Sequence, residues 1–508
     1  MNNGKTSILE EAKKSQFPSV PYDRWLEKVK PLTEDTFIDP TRGLPSKILY
    51  TEADLGDWID EIRGRIPKYN GWRIAQKITG TSTEEIRERL LEALDGGQDT
   101  LSFSLCREWS WQDLDQLLSG IELEKLPFFI QSEELTVPFY ILLKHWADER
   151  QMEGNHFSGL IGTDPLGEIL LKGYLPEEAE DYYRYWCEGI LYAKQHFPEL
   201  KTIYINGSIY EQAGGTHFQQ LAYILMTCVE HLERLKENGL MKEEFFHRTV
   251  VGISVGSDFF GEIAKVRALR YLWSKLVEAY GLNPEQYPIS IYAETAKTNK
   301  TSATPYNNLL RNGAEALAIA IAQVDWIQVL PYDGTDGRAA SPLATRISRN
   351  THHILREESR IEEVTDPSGG SYFVEALTRE IIEKAWNLFL EGEEAGGIMA
   401  LAKKGILQQT LEANRKEIIH AYEKGRKALL GVHLYPEDTE DSRGFPEKKD
   451  IALLQKAKIM KLDLLEKQMA DSPKLKDFIL PIEKKEGAIP ALKRDGWEMV
   501  FRLKGGDA

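Results

Sequence analysis

Short apolar runs rich in β-branched residues alternate along this chain with longer stretches of helical period. Strands that alternate with helices predict a parallel sheet, and continuous apolar runs are typical of strands covered on both faces. Seven runs are predicted as strands: Thr100–Leu105, Pro127–Gln131, Phe157–Ile161, Thr202–Asn206, Val250–Val255, Pro288–Ala293 and Trp326–Leu330. With an eighth predicted near Ser371–Val374, the pattern favours an α/β fold, a (β/α)8 TIM-type barrel. Periodicity alone leaves an open doubly wound sheet as the alternative.

One strand-to-helix junction concentrates candidate functional residues. The strand Thr202–Asn206 breaks at Gly207 and runs into a helix that begins near Glu211. The carboxyl ends of barrel strands are where this fold keeps its chemistry, so the residues around Gly207 are candidates for a site. The clearest helix is predicted over Glu262–Tyr280, where apolar residues form one stripe and Gly281 ends the pattern.

Composition limits the possible partners and surroundings. The chain has 508 residues, 42% of them apolar, and a formal net charge of −17. This charge repels phosphate backbones and anionic membrane surfaces, so neither nucleic acid nor a membrane is expected as a partner. No window approaches the roughly 20 apolar residues of a membrane span, and three widely spaced cysteines suggest no disulfide framework. A cytoplasmic location is expected.

The chain divides into three predicted parts. Residues 1–65 carry short helical pieces, Tyr22–Val29 and Ala53–Ile62, and form an N-terminal helical arm too small for a core of its own. Residues 66–435 hold the barrel. Residues 436–508 begin with an acidic break and form a linker and a short C-terminal tail, with a helix predicted near Ile451–Gln468.

Several runs, in order along the chain, resemble segments of one enzyme family. Each alone has an ordinary reading as a turn or a cap, and the set is specific. They are Gly71–Gln76, Gly162–Gly167, Glu262–Arg267, Pro305–Asn308, Arg346–Asn350 and Asp366–Tyr372. Together with the strand before Gly207, they resemble the barrel of the methylmalonyl-CoA mutase family, and specifically the small (beta) subunit of its heterodimeric enzymes. The resemblance covers the chain from about Tyr22 to Tyr435.

The resemblance implies an adenosylcobalamin-dependent isomerisation of methylmalonyl-CoA to succinyl-CoA, but this chain departs from the family at the site positions. The catalytic subunits carry a Tyr-His pair where this chain has Ser208 and Ile209. Donor side chains are likewise replaced by Lys77 and Gly162. The resemblance therefore implies no catalytic residue here. It leaves a residual substrate pocket of four matching or near-matching positions, which are Lys172, Arg248, Glu294 and Thr295.

Cofactor capture is also predicted to be absent. The family binds cobalamin through an Asp-x-His-x-x-Gly loop on a separate domain of about 130 residues. None of the ten histidines of this chain has an aspartate two positions before it. The tail after Tyr435 has 508 − 435 = 73 residues, too few for such a domain. We therefore expect no cobalamin-binding domain, and adenosylcobalamin bound only through a partner subunit.

Three functional hypotheses follow. The first is a non-catalytic small subunit, a pseudoenzyme that pairs with a large catalytic mutase subunit and reaches the CoA substrates only through the complex. The alternative is an active acyl-CoA mutase barrel completed by a separate cobalamin-binding chain, which Ile209 argues against. A free-standing acyl-CoA-binding protein is the third. A metal site at His352 and His353 is not expected, because adjacent histidines on a helix point apart.

Overall fold

The computed structural model shows a parallel sheet rolled into a barrel and covered by helices. It describes residues 20–29, 39–45, 47, 49–56, 58–66, 71–105, 109–132, 135–176, 179–334, 340–436, 484–486 and 489–494. The helix predicted near Ile451–Gln468 lies outside the described residues. The division into arm, barrel and tail stays a prediction.

Seven parallel strands form the main sheet, in the order β1-β8-β7-β6-β5-β3-β2. Two further strands, β4 and β9, form a separate antiparallel pair. The strands are β1 Arg73–Ile74, β2 Phe128–Gln131, β3 Gly159–Thr163, β4 Tyr174–Pro176, β5 Leu200–Asn206, β6 Thr249–Val255, β7 Ser290–Thr295, β8 Trp326–Gln328 and β9 Lys484–Glu486.

An eighth extended segment, residues 101–103, closes the sheet into a ring. On one side Leu101 forms a parallel bridge with Phe128 of β2, and on the other Phe103 bridges Ile78, just after β1. Backbone hydrogen bonds of 2.8–3.0 Å hold both contacts. β1 is in turn paired with β8, so every member of the ring has two neighbours. The predicted (β/α)8 TIM-type barrel is confirmed.

The predicted strands from Thr100 to Leu330 correspond to members of the ring, but the strand predicted near Ser371–Val374 is wrong. The run at Ser371–Val374 is not a strand, because Ser371 caps a helix that begins at Tyr372. The missing barrel strand is β1, which sequence analysis did not predict. β1 has only two ladder residues, too few to produce an alternating pattern.

Helices cover the outside of the ring. The predicted helix Glu262–Tyr280 is confirmed as Phe259–Ala279, and Gly281 follows with a φ of +72°. The α-helices are α1 Tyr22–Val29, α2 Trp58–Arg63, α3 Thr83–Asp95, α4 Trp111–Leu118, α5 Thr136–Glu149, α6 Pro165–Lys172, α7 Ala179–His196, α8 Ser208–Gln212, α9 His217–Glu237, α10 Lys242–Arg248, α11 Phe259–Ala279, α12 Pro305–Ala322, α13 Pro342–His353, α14 Tyr372–Glu394, α15 Gly397–Lys403 and α16 Ile406–Glu423. Within the described ranges, no helix combines the length and the apolar character that crossing a bilayer requires.

Aromatic side chains fill the lumen of the barrel. Phe129 stacks on Tyr292 with ring centroids 4.4 Å apart, and Trp326 lies 5.6 Å from Phe129. Tyr204 meets Phe129 and Tyr292 edge-on. A Cβ atom at Gly252 would lie only 2.0 Å from the Tyr204 hydroxyl oxygen, so glycine is required there. The same cluster contains Ala75, Leu160 and Val250. The larger apolar core lies between the ring and the helices.

Chain segments from both ends lie against the barrel. In the N-terminal arm, Asp39 accepts hydrogen bonds of 2.9 and 3.0 Å from Lys427, and the Arg42 guanidinium pairs with Asp258 at the carboxyl end of the barrel. Near the C-terminal end of the chain, the Leu492 amide donates to the Leu170 carbonyl over 2.9 Å. Ile489 is also buried in the core.

Candidate functional site

The aromatic side chains that fill the lumen, Phe129, Tyr204, Tyr292 and Trp326, form a plug. A polar layer lies above this plug at the mouth of the barrel, which is the end where the strands have their carboxyl termini. Side chains alternate along a strand, so residues two positions beyond the plug also face the lumen. These positions are Gln131, Gly162, Asn206, Ser254, Glu294 and Gln328. Strand register pairs Gln131 with Gly162, and it pairs Glu294 with both Ser254 and Gln328. On β6 the residue opposite Tyr292 is Gly252, so Ser254 is the position two residues further on. Gly162 and Glu294, two positions that the resemblance singled out, lie in this layer.

Glu211 bridges two loops of the mouth. It lies on the short helix after β5, and its carboxylate accepts hydrogen bonds from Ser254 Oγ at 3.1 Å and Thr298 Oγ1 at 2.6 Å. Burial raises the pKa of the Glu211 carboxyl, against the opposing effects of the Thr298 hydrogen bond and the Lys265 charge. Ser254 and Glu294 are directly opposite on neighbouring strands. The mouth therefore brings two carboxyl groups, Glu211 and Glu294, to either side of one serine.

The buried lysines beside the mouth are already paired. Lys265 Nζ lies 2.5 Å from Glu262 Oε2 and donates to the Ser254 carbonyl over 2.7 Å. Lys300 Nζ lies 2.7 Å from Glu315 Oε2. The exposed Lys297 is 3.5 Å from Glu294 Oε1. Each of these three ammonium groups is therefore paired with a glutamate carboxylate of the chain itself.

The other predicted positions near the mouth do not present reactive groups. Thr295 follows Glu294 but faces away from the lumen, where its hydroxyl oxygen accepts from the Leu330 amide over 2.9 Å. Ile209 is fully buried in the core between the ring and the helices. Ser208 is buried too, and its Oγ has no hydrogen-bond partner within the described part of the chain.

Three predicted site residues do not lie together with this layer. Arg248 immediately precedes β6, at the opposite end of the barrel, and it donates to the Leu200 carbonyl over 2.6 Å and to Glu244. Lys172 ends α6, where its ammonium pairs with Glu168 at 2.9 Å. Lys77 is an exposed residue beyond β1. The four positions of the predicted pocket therefore divide between the mouth, a helix end and the base of the barrel.

The mouth residues do not fit adenosylcobalamin. Histidine is the cobalt ligand that the resemblance implies, and it would need a ring nitrogen not already engaged by other groups. His217 is held by Asp258, at 3.0 Å from Nε2, with Glu262 4.0 Å from Nδ1. His231 is fully buried between Tyr183 and Asp164. Among the described residues, no group of three His, Cys, Asp or Glu side chains has a geometry suited to a metal ion.

His352 is a structural histidine in the described molecule. Its Nδ1 accepts a hydrogen bond from Trp72 Nε1 over 3.1 Å, whereas His353 Nε2 lies 2.9 Å from the Gly96 carbonyl oxygen. The two imidazoles therefore point to different neighbours, as expected for adjacent positions on a helix. Burial, with a smaller contribution from Arg356, lowers the pKa of His352 from 6.5 to about 3.

We expect His352 to make the fold sensitive to acid. A lowered pKa in the folded state means that stability is fully present above pH 6.5 and is lost as the pH falls toward 3, by up to about 1.4 kcal/mol per pH unit. His352→Gln keeps an acceptor for Trp72 but cannot titrate, so its unfolding free energy should depend less on pH between 6.5 and 4. Urea unfolding across this range measures the slope. His353→Gln is the control, and an unchanged slope in His352→Gln would contradict the assignment.

Sequence analysis singled out Asn206, Gly162 and Glu294 but missed the rest of the polar layer. Gln131, Ser254 and Gln328 are each the lumen-facing polar residue nearest the end of a strand. Strand parity would have identified them once the plug positions were known. Glu211 had no such signal, because its contact with Thr298 joins segments 87 residues apart.

These features define a (β/α)8 barrel protein with a filled lumen and a polar, partly acidic mouth. Comparison with known proteins assigns this barrel to a family. The family model for methylmalonyl-CoA mutase matches residues 109–486, and the chain belongs to the methylmalonyl-CoA mutase family.

Both subunit types of two-chain mutases are among its relatives. The chain is 30% identical to the methylmalonyl-CoA mutase small subunit of Porphyromonas gingivalis, over 84% of this chain and 71% of that protein. It is 28% identical to the small subunit of Streptomyces virginiae, over 84% of this chain and 72% of that protein. It is also 30% identical to the large subunit of Propionibacterium freudenreichii, over 69% of this chain but only 48% of that protein.

Proposed function

We propose that this chain is the non-catalytic small subunit of an adenosylcobalamin-dependent methylmalonyl-CoA mutase. It pairs with a large subunit that binds the cofactor and isomerises methylmalonyl-CoA to succinyl-CoA in the cytoplasm. The observation that carries the proposal is the carboxylate pair Glu211 and Glu294 at the mouth, where an acyl-CoA barrel would bind its substrate.

Electrostatics argues against substrate binding at this mouth. An acyl-CoA carries negative phosphates, and the methylmalonyl group adds a carboxylate. Stabilising the thioester oxygen requires preorganised donors or cations. Besides the neutral amides of its polar layer, this mouth presents two carboxyl groups, while Lys265 and Lys300 are held by Glu262 and Glu315. The two carboxyl groups therefore disfavour an anionic ligand, and the paired ammonium groups do not offset them.

The shape of the barrel supports the same proposal. Phe129, Tyr204 and Tyr292 fill the lumen below the mouth, so the polar layer has an aromatic floor. At the position where catalytic subunits of the family carry histidine, Ile209 packs into the apolar core instead of facing the mouth. No side chain at that position can donate or accept a proton.

The test is adenosylcobalamin-dependent conversion of methylmalonyl-CoA to succinyl-CoA. We expect no turnover by the purified chain and full turnover by its complex with a large mutase subunit. In that complex, the double variant Glu211→Gln and Glu294→Gln should retain turnover within about twofold of wild type, because these carboxyl groups touch no substrate.

A matched control separates activity from assembly. The double variant is compared with wild type at equal amounts of assembled complex, measured by gel filtration. Loss of turnover in an intact complex would contradict the proposal and favour an active barrel. Turnover by this chain with only a separate cobalamin-binding protein would do the same.

A further inference from the structure

The outward crest of α12 carries no acidic side chain. Residues at helical spacing form this crest, and all are apolar or small: Tyr306, Leu310, Gly313, Ala314 and, partly buried against the core, Leu317 and Ile321. Tyr306 is 73% exposed and Leu310 is 67% exposed. Of the two charged residues of the helix, Glu315 is buried against Lys300, whereas Arg311 lies at the edge of the crest and donates to the Leu430 carbonyl.

Gly313 has no role within the described part of the chain that requires glycine. A Cβ atom at this position would meet nothing within 4 Å, and its φ is not in the positive range. Glycine inside a helix costs stability relative to alanine and allows another backbone to approach closely. A glycine on an exposed apolar crest therefore suits contact with a second molecule.

A turn at the end of the barrel extends this apolar surface. The Leu430 carbonyl accepts from Arg311 over 2.7 Å, which fixes the turn beside the first half of α12. Leu430 is 49% exposed, Leu434 is 51% exposed and Tyr435 is 82% exposed. Large contiguous apolar patches on soluble proteins mark interaction sites, and exposed tyrosines often contribute most of the binding energy.

We propose that the α12 crest, with the turn at Leu430–Tyr435, is the surface that binds the large mutase subunit through that subunit's corresponding outer helix. This inference rests on the proposed function. The chain is 30% identical to a large subunit, and two homologous barrels can pair through the same face about an approximate twofold axis. A crest without acidic side chains also lets a chain of net charge −17 approach its partner with little local repulsion.

The test is the affinity of the purified full-length chain for a purified large mutase subunit from the same organism. Gly313→Leu places a branched side chain where the partner backbone approaches, and Leu310→Arg buries a charge in an apolar contact. We expect each to weaken binding at least about tenfold by surface plasmon resonance. Leu390→Arg is the control, since Leu390 is 44% exposed on α14 among charged neighbours, and its affinity should stay within about twofold.

A second measurement separates an interface from a folding defect. Gly313→Ala should raise the thermal unfolding temperature of the isolated chain, because the methyl group meets no described atom and alanine favours helix. Unchanged affinity in Gly313→Leu and Leu310→Arg would overturn the surface and leave the proposed function standing. Failure of the wild-type chain to bind any large subunit would overturn both. Self-association that Gly313→Leu abolishes would show a second copy to be the occupant and overturn the choice of a large subunit.

Discussion

Replacement of Lys300 by methionine is expected to destabilise the fold by about 3–5 kcal/mol, because it leaves a buried carboxylate without its counter-charge. Lys300 Nζ lies 2.7 Å from Glu315 Oε2, and both side chains are almost fully buried. Glu315 also accepts from Asn299 Nδ2 over 2.7 Å, so the pair ties the loop after β7 to α12. Urea unfolding measures the change in the free energy of unfolding.

The same loop offers a control for Lys300→Met. Lys297 is 58% exposed, and its ammonium is 3.5 Å from Glu294. Because exposed ion pairs contribute little, Lys297→Met should change stability by less than about 0.5 kcal/mol. The double variant Lys300→Met and Glu315→Leu removes both charges and should recover most of the loss. If Lys300→Met lowers the free energy of unfolding by no more than Lys297→Met does, water must reach the Lys300–Glu315 pair.

Removal of the Phe129 ring should cost about 3–5 kcal/mol, through the lost apolar transfer and the cavity left in the lumen. The ring is 97% buried and contacts three other aromatic rings of the plug, so its neighbours have little freedom to collapse. Phe129→Ala is measured by urea unfolding, with the denaturant slope checked for a change in cooperativity.

Phe260→Ala is the matched control for the lumen. Phe260 is 49% exposed beside Phe373, so its truncation should cost less than about 1 kcal/mol. Equal losses in the two variants would mean that the plug is loosely packed. In that case the aromatic floor below the polar layer would no longer support the non-catalytic role proposed above.

The sequence was sufficient to predict the fold class because strands buried on both faces leave continuous apolar runs, as at Val250–Val255. It was insufficient at β1, where two ladder residues produce no pattern, and at Ser371, where an apolar run follows a helix cap. A local sequence pattern indicates that a segment is buried, but it does not identify the distant segment against which it packs.

The candidate site, like the fold, could be predicted only in part. The resemblance led to Glu294 and Gly162, which the lumen-facing parity of their strands brings to the mouth. Resemblance also grouped Arg248 with them, although its guanidinium lies at the base of the barrel. The contact of Glu211 with Thr298 depends on loop conformations, and no periodicity of either segment predicts it.

Closure of the ring between β1 and β8 has a consequence for synthesis on the ribosome. The Ala75 amide donates to the Ile327 carbonyl, so the first strand waits for a partner 327 − 75 = 252 residues later. At about 5–20 residues per second, that delay is on the order of 10–50 s. During it, the edge of β1 and the aromatic side chains of the future lumen are uncovered. In the nascent chain, one edge of β1 therefore stays unpaired until β8 has been synthesised.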